Sequence, residues 1–282
     1  MRELLSITTI VAQVTNRCPC DCPQCYASKG NENISLRKLE EILDATFRNR
    51  VGLLQITGGE PMCYPQLTEL VKFCRSRKIH TAIATSGYTC TENVLNQLVV
   101  AGLDLLCVSL NGSIKAVHEQ TRNDYGSAID AIILAKKCGL PCAVNWVACN
   151  SNADDFQNVL ALCVEYSVST IFVLKKHPSY NAANEDYPTN RQLKNLRQAI
   201  ENNKTDVSVI IEPCFSELQT EHKCLAGNDS FYVDCNGMIS PCSMLSVRYS
   251  SPREMLESKM NKNSVNCSNL RCLLEFEEKR NY

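Results

Sequence analysis

Short apolar runs rich in β-branched residues alternate along this chain with longer stretches whose apolar positions recur every three to four residues. The runs at 7–14, 51–57, 79–85, 103–110, 142–149 and 169–175 predict strands. The periodic stretches predict helices over 35–49, 65–77, 91–100, a span ending near 137, 153–166 and 190–202. Ser35 is placed to cap the first helix. Gly102 and Gly139 follow two of the others, as helix-ending glycines do.

Strict strand–helix alternation predicts an α/β fold with a parallel sheet and helices outside it. Six units are too few for a closed eight-stranded barrel. An open partial barrel and a doubly wound sheet both satisfy the pattern. Beyond residue 204 the alternation stops. A further strand is expected at 206–212. Asn236-Gly237, between "FYVD" and "MIS", predicts a tight hairpin. The chain therefore divides into a core at 1–204 and a smaller cysteine-rich module at 205–282.

The unusual residues cluster after the strands. "NRCPCDCPQCYASKG" follows the first, "GGEP" (58–61) the second, "SG" (86–87) the third, "SLNG" (109–112) ends the fourth, and "KKH" (175–177) follows the sixth. Asn145 and Trp146 lie in the fifth. Parallel α/β folds bind ligands at the carboxyl ends of their strands, so these stretches converge on one mouth.

Composition narrows the class. The 282 residues carry a net charge of −1, with 44% hydrophobic and 21% charged residues, as in ordinary globular domains. No basic surplus suggests a nucleic-acid partner. No apolar run suggests a membrane span, and no cleavable signal precedes the first strand. A cytoplasmic protein is expected. There, 18 cysteines point to metal or redox chemistry rather than disulfides. Several are expected to be small buried hydrophobes, Cys74, Cys107, Cys138 and Cys163 among them, and Trp146 is expected in the core.

Four thiols, Cys18, Cys20, Cys22 and Cys25, fall within eight residues. Zinc sites usually pair two short hairpins, and no second hairpin lies nearby. Three thiolates would leave one iron of a 4Fe-4S cluster open to a ligand. The triplet Cys18, Cys22, Cys25, with Tyr26 behind it, resembles the signature of radical S-adenosylmethionine enzymes. "GGEP" is similar to that family's methionine-binding motif, and "TSG" and "SLNG" resemble its next two strand ends. Ser86 replaces the usual Asn, and Asn111 the usual Asp.

The resemblance covers the first two hundred residues and implies a partial (β/α)6 TIM-like barrel. It implies that Cys18, Cys22 and Cys25 hold a 4Fe-4S cluster, with Cys20 outside the set. It also implies that S-adenosylmethionine meets Tyr26, Gly58, Gly59, Glu60, Ser86, Ser109, Arg122 and Asn145. The chemistry implied is reductive cleavage to a 5′-deoxyadenosyl radical, fed by a donor such as flavodoxin or ferredoxin. The C-terminal spacing from Cys224 through Gly237 to Cys242 is similar to the opening of twitch and SPASM modules. That implies an auxiliary 4Fe-4S cluster on Cys224, Cys242, Cys267 and Cys272, with Cys214 a contender and Cys235 free.

Relatives of this kind imply post-translational modification of a ribosomally made peptide, or dehydrogenation of a sugar or aminocyclitol. The chain leaves no room ahead of its first strand for a leader-binding domain, so a separate leader-peptide-binding protein is expected on the peptide reading. A non-catalytic iron–sulfur or zinc scaffold is the alternative from another class, and a glycyl-radical activase ranks below these. Cys63 and Cys149 are weaker candidates for a hydrogen-atom donor. Lys175, Lys176 and His177 stand where they meet either substrate or solvent.

Overall fold

The computed structural model describes residues 7–48, 50–177, 186–219, 226–245 and 247–261. Nine strands form one sheet: β1 (Thr9–Gln13), β2 (Gly52–Thr57), β3 (Ile79–Thr85), β4 (Leu105–Ser109), β5 (Cys142–Ala148), β6 (Thr170–Lys175), β7 (Ser208–Ile211), β8 (Ser230–Val233) and β9 (Ile239–Ser240). Their order is β7-β6-β5-β4-β3-β2-β1-β8-β9. Every pairing is parallel except β8 with β9.

The helices are α1 (Leu36–Phe47), α2 (Leu67–Ser76), α3 (Glu92–Ala101), α4 (Lys115–His118), α5 (Tyr125–Lys137), α6 (Phe156–Glu165), α7 (Asn190–Glu201) and α8 (Pro252–Asn261). The expected α/β alternation is therefore present. The Ser35 cap accepts from the Lys38 amide, and Gly102 ends α3 at φ 99°. The stretch expected to run as one helix to 137 is instead two. Asp124, at φ 59°, caps α5 through the Ser127 amide and separates it from α4.

The register assigns the two faces. Ile10, Leu54, Ile56, Ile83, Leu106, Val108, Val144, Trp146, Ile171 and Val173 alternate onto one face and join the helices in the main core. Trp146 is fully buried there, tilted against Phe156 with ring centroids 5.1 Å apart. Ala82, Cys107 and Ala143 occupy the opposite face and form a second, small cluster with Leu53, Leu105 and Phe172. Higher on that face the residues are polar. Ser109 pairs in register with Asn145, and Tyr232 donates to Gln13.

The sheet curls. Laid flat, nine strands at about 4.8 Å spacing would put its edges roughly 38 Å apart. Yet Cys214, just beyond β7, feels the charge of Cys242, just beyond β9. Among the described residues no helix is long and apolar enough to cross a membrane.

Of the expected cysteine core, Cys74, Cys107 and Cys163 are buried and Cys138 is half-buried. Cys224, Cys267 and Cys272 lie outside the described residues. The expected hairpin is β8–β9, turned by Gly237 at φ 76°.

Candidate active site

The thiol loop leaves β1 and is closed at its neck. The Asn16 amide donates to the Glu32 carbonyl, Gly30 N to Asn16 O, and Ile34 N to Val14 O, at 2.9 to 3.2 Å. Within it the thiols of Cys18, Cys20 and Cys22 lie close enough to shift one another, Cys20 lowering Cys18 and raising Cys22. Cys20 is buried, 3.8 Å from Ser86 Oγ. Cys25 stands apart and donates to Ala27 O. The contact row is thus Cys18, Cys20, Cys22, whereas the family spacing selects Cys18, Cys22, Cys25.

The loop rests on the Gly-Gly-Glu turn after β2. Gly59 N donates to Thr15 O and Glu60 N to Arg17 O, both at 2.7 Å. A Cβ on Gly59 would lie 2.4 Å from Arg17 O and 2.8 Å from Cys18 Cβ. Glycine is needed here for close approach. Glu60 is buried, and both carboxylate oxygens are occupied. Oε1 accepts from Thr85 Oγ1 at 2.7 Å and Met62 N at 3.2 Å, and Oε2 from Ser86 N at 2.8 Å and Ser86 Oγ at 2.6 Å. Burial still pushes its pKa up. Glu60 and Ser86, both expected on the cofactor, thus bind each other and lock the ends of β2 and β3 together.

A second lock holds the far side of the loop. Asn111 is fully buried. Its Nδ2 donates to Gln24 Oε1 and Thr121 Oγ1, each at 2.8 Å, and its Oδ1 accepts from Val147 N at 3.1 Å. Its backbone amide donates to His118 Nδ1 at 3.2 Å, so His118 is protonated on Nε2, 3.3 Å from Asn123 O. Burial, reinforced by Arg122, lowers His118 to about 4. Asn123 N then donates to Cys22 Sγ at 3.5 Å; contact with Cys20 and burial push the Cys22 thiol up, against a smaller lowering by the Arg122 charge. Turning the Gln24 amide over exchanges the 2.8 Å bond from Asn111 Nδ2 for one at 3.1 Å and lets the same oxygen accept from Arg122 Nε at 3.0 Å and Nη2 at 3.2 Å.

Ser109 and Asn145 are cross-strand neighbours, each 7% exposed. Neither side chain bonds to a described residue, and their polar atoms stay open, unlike Asn33 Oδ1 and Trp146 Nε1, which are buried without a partner. On the other flank Tyr26 projects from the loop. Its ring meets His177 edge-on at 6.0 Å, and Ser243 donates to its hydroxyl. Tyr26 as a residue is 41% exposed, but crowding around its hydroxyl pushes the phenol up to about 12. Glu212, after β7, and Cys214 complete the group. The ligand atoms of His177, Glu212 and Cys214 all lie within 4.8 Å of one another.

The remaining candidates separate. Cys63 opens onto a cavity of about 530 Å³ on the loop's outer flank, lined also by Arg17, Cys18, Pro19, Gly30 and Asn31. Cys149 is fully buried, its thiol 3.6 Å from Gln24 Oε1 and pushed up to about 12 by burial. Lys175 pairs with Glu217 at 2.8 Å, and Lys176 is buried over the Tyr187 ring. The residues that sequence reasoning missed are Gln24, Asn111 and His118. Asn111 was visible only as a departure from the family's Asp, and nothing local marks His118.

A family model described as the Radical SAM superfamily matches residues 12–163. The chain is 25% identical over 252 residues to the PqqA peptide cyclase of Gluconobacter oxydans, covering 83% of this chain and 69% of that protein. It is 30% identical over 177 residues to the PqqA peptide cyclase of Xanthomonas oryzae pv. oryzae, covering 58% of this chain and 46% of that one. Its fold is similar to that of Streptococcus suis SuiB, with a TM-score of 0.76 at 17% identity, over 93% of this chain and 67% of SuiB. SuiB has also been solved with S-adenosylmethionine and with the precursor peptide SuiA. With more than half of its length matched by the family model, and the fold shared across nearly all of it, the chain belongs to the radical S-adenosylmethionine superfamily.

Proposed function

We propose that this radical S-adenosylmethionine enzyme abstracts a hydrogen atom from a ribosomally made peptide and so modifies it after translation. The observation that carries the chemistry is the pair Ser109 and Asn145, cross-strand neighbours near the ends of β4 and β5, largely buried, with side-chain polar atoms that bond to no described residue and stay open. They suit a polar ligand held at the strand ends. The peptide class is supported by relatives that are named for acting on one peptide and solved with another.

The residues present fit an iron–sulfur cluster and its ligand. Soft thiols are gathered on one loop, and glycines at 58 and 59 bring a backbone turn against it. Cys18, Cys22 and Cys25 would hold the cluster, leaving Cys20 to pack on Ser86. When bound, the cluster supplies the electron that splits S-adenosylmethionine to the 5′-deoxyadenosyl radical. Gly58 and Gly59 would present backbone to the methionine group. Glu60 and Ser86 would act through the turn they lock. Arg122 offers positive charge to the carboxylate, Ser109 and Asn145 offer hydrogen bonds, and Tyr26 offers a ring face.

We assign 1–204 to a partial (β/α)6 barrel, a reading the curl of the sheet supports, and 205–282 to a twitch-like module. Its auxiliary 4Fe-4S cluster would sit on Cys224, Cys242, Cys267 and Cys272. A flavodoxin or ferredoxin would deliver electrons, a separate protein would present the leader, and the cytoplasm would keep the thiols reduced.

The test is to incubate anoxic, reconstituted and reduced protein with S-adenosylmethionine and a panel of candidate short peptides and small alcohols. Deoxyadenosine together with a peptide mass change is the expected result. Absence of deoxyadenosine with every peptide and small alcohol tried would sink the radical reading. A mass change confined to a small alcohol would replace the peptide with a sugar or cyclitol.

A further inference from the structure

We infer that His177, Glu212 and Cys214 form a mononuclear zinc site, distinct from both iron–sulfur clusters, at the carboxyl ends of β6 and β7. The three ligand atoms, one imidazole nitrogen, one carboxylate oxygen and one sulfur, all lie within 4.8 Å of one another. Zinc binds these donor types at about 2.0 to 2.3 Å. Ligands around one tetrahedral zinc therefore stand somewhat under 4 Å apart, and a small inward movement of the side chains closes the set.

The fold holds the three in place before any ion arrives. Parallel strands β6 and β7 bring their ends together, and Glu212 N continues the ladder to Val173 O at 2.9 Å. The Lys175 amide donates to Glu212 Oε2 at 2.9 Å and fixes the carboxylate. Phe215 N donates back to Glu212 O at 2.8 Å, a turn that returns Cys214 over the glutamate. Tyr26 backs the imidazole edge-on. Such outer contacts orient ligands in metal sites.

Two ammonium groups lie nearby: Lys175 Nζ is taken by Glu217 at 2.8 Å, and Lys176 is buried over the Tyr187 ring, its charge also felt at His177. Glu212 makes no ion pair with any described residue; its side chain accepts instead from the Cys214 thiol. An imidazole nitrogen of His177 lies within 4.8 Å of the Glu212 carboxylate and the Cys214 sulfur. A neutral imidazole, a carboxylate and a thiol set face to face suit a borderline divalent cation. Metal binding would displace the thiol proton. Three protein ligands would leave zinc a fourth position, the arrangement that polarises a substrate heteroatom. A set with a single thiol does not hold a 4Fe-4S cubane, so this assignment removes Cys214 from the auxiliary cluster.

The test uses anoxic protein with its clusters loaded. Zinc is added, weakly held metal is removed with chelator, and zinc and iron are counted by elemental analysis. Wild type should retain ~1 zinc per chain, with an absorption-edge spectrum showing one sulfur and the remainder nitrogen or oxygen. His177→Ala and Cys214→Ser should each lower zinc affinity by more than ~100-fold, beyond the 10- to 100-fold typical of outer-shell changes. Glu212→Gln, the mildest change, should lower it less. Iron content should be unchanged in all three variants, which also reports that they fold. Wild type without stoichiometric zinc, or variants that keep it, would overturn the site. So would a Cys214→Ser protein that loses iron and keeps zinc, which would return Cys214 to the auxiliary cluster. Cleavage of S-adenosylmethionine is read separately and tests only the radical reading.

Discussion

The two flanks of the mouth are built on opposite terms. At the ends of β1 to β4, Glu60, Thr85, Asn111, His118 and Thr121 are all buried, and all have hydrogen-bond partners. At the ends of β6 and β7, His177, Glu212 and Cys214 are half-buried, with their ligand atoms within 4.8 Å of one another. A fully satisfied buried network specifies one geometry, because any rearrangement strands a polar group. A half-satisfied one, even where the backbone holds it in place, keeps lone pairs open to whatever binds. The first flank therefore fixes the thiol loop, and the second is where a ligand completes the structure.

The comparison is tested most severely at the loop itself. Cys22→Ser should reduce deoxyadenosine formation to background and lower the iron content, whereas Cys20→Ser should leave iron unchanged. If Cys20→Ser also loses iron, the contact row Cys18–Cys20–Cys22 outranks the family spacing.

The next effect concerns pH. His118 titrates near 4 in the fold because burial disfavours its charge, against 6.5 when exposed. Its folded value is lowered, so the unfolded chain binds the proton first and stability is lost as pH falls from 6.5 toward 4. The loss should reach about 3 kcal/mol. His118→Gln should flatten that slope in urea unfolding followed across the window. A slope unchanged by the substitution would show that the satisfied flank does not depend on a neutral imidazole.

Gly59→Ala drives a Cβ into Arg17 O and Cys18 Cβ and should cost about 1–3 kcal/mol, with a parallel loss of loop-bound iron. Tyr26→Phe removes only the Ser243 contact on the open flank. It should cost about 1 kcal/mol or less, leaving the iron of the loop unchanged. A Tyr26→Phe protein as damaged as Gly59→Ala would erase the distinction between flanks. Ser35→Ala, remote from both, should cost about 1 kcal/mol and leave turnover unchanged, which calibrates the rest.

The legible part of this molecule is local. Strand β3 was readable to its last residue, because period and length of an apolar run need no partner to be seen. The cap at Ser35 and the stop at Gly102 are equally local. The helix expected to run on to 137 is broken at Asp124, at φ 59°, which caps α5 on Ser127 three residues on, a local cap that the continuous helical pattern hides. Glu60 was readable as a site residue, yet its oxygens are occupied by Thr85 and Ser86, which stand 25 and 26 residues away. His118 offered no signal, since its partners are fixed by a turn and a loop far apart in sequence from the thiols they support.

By itself the sequence determined the parallel α/β alternation, the thiol loop and the strand ends that carry polar residues, because hydrophobic period and turn chemistry act over a few neighbours. Only the tertiary structure decided which polar groups satisfy one another and which stay open. Glu60 and Ser86 bind each other, whereas Ser109, Asn145 and the His177–Glu212–Cys214 trio await a partner. Hydrogen bonds act over about 3 Å, and the separations that matter at that scale are set by how the sheet curls, not by position along the chain.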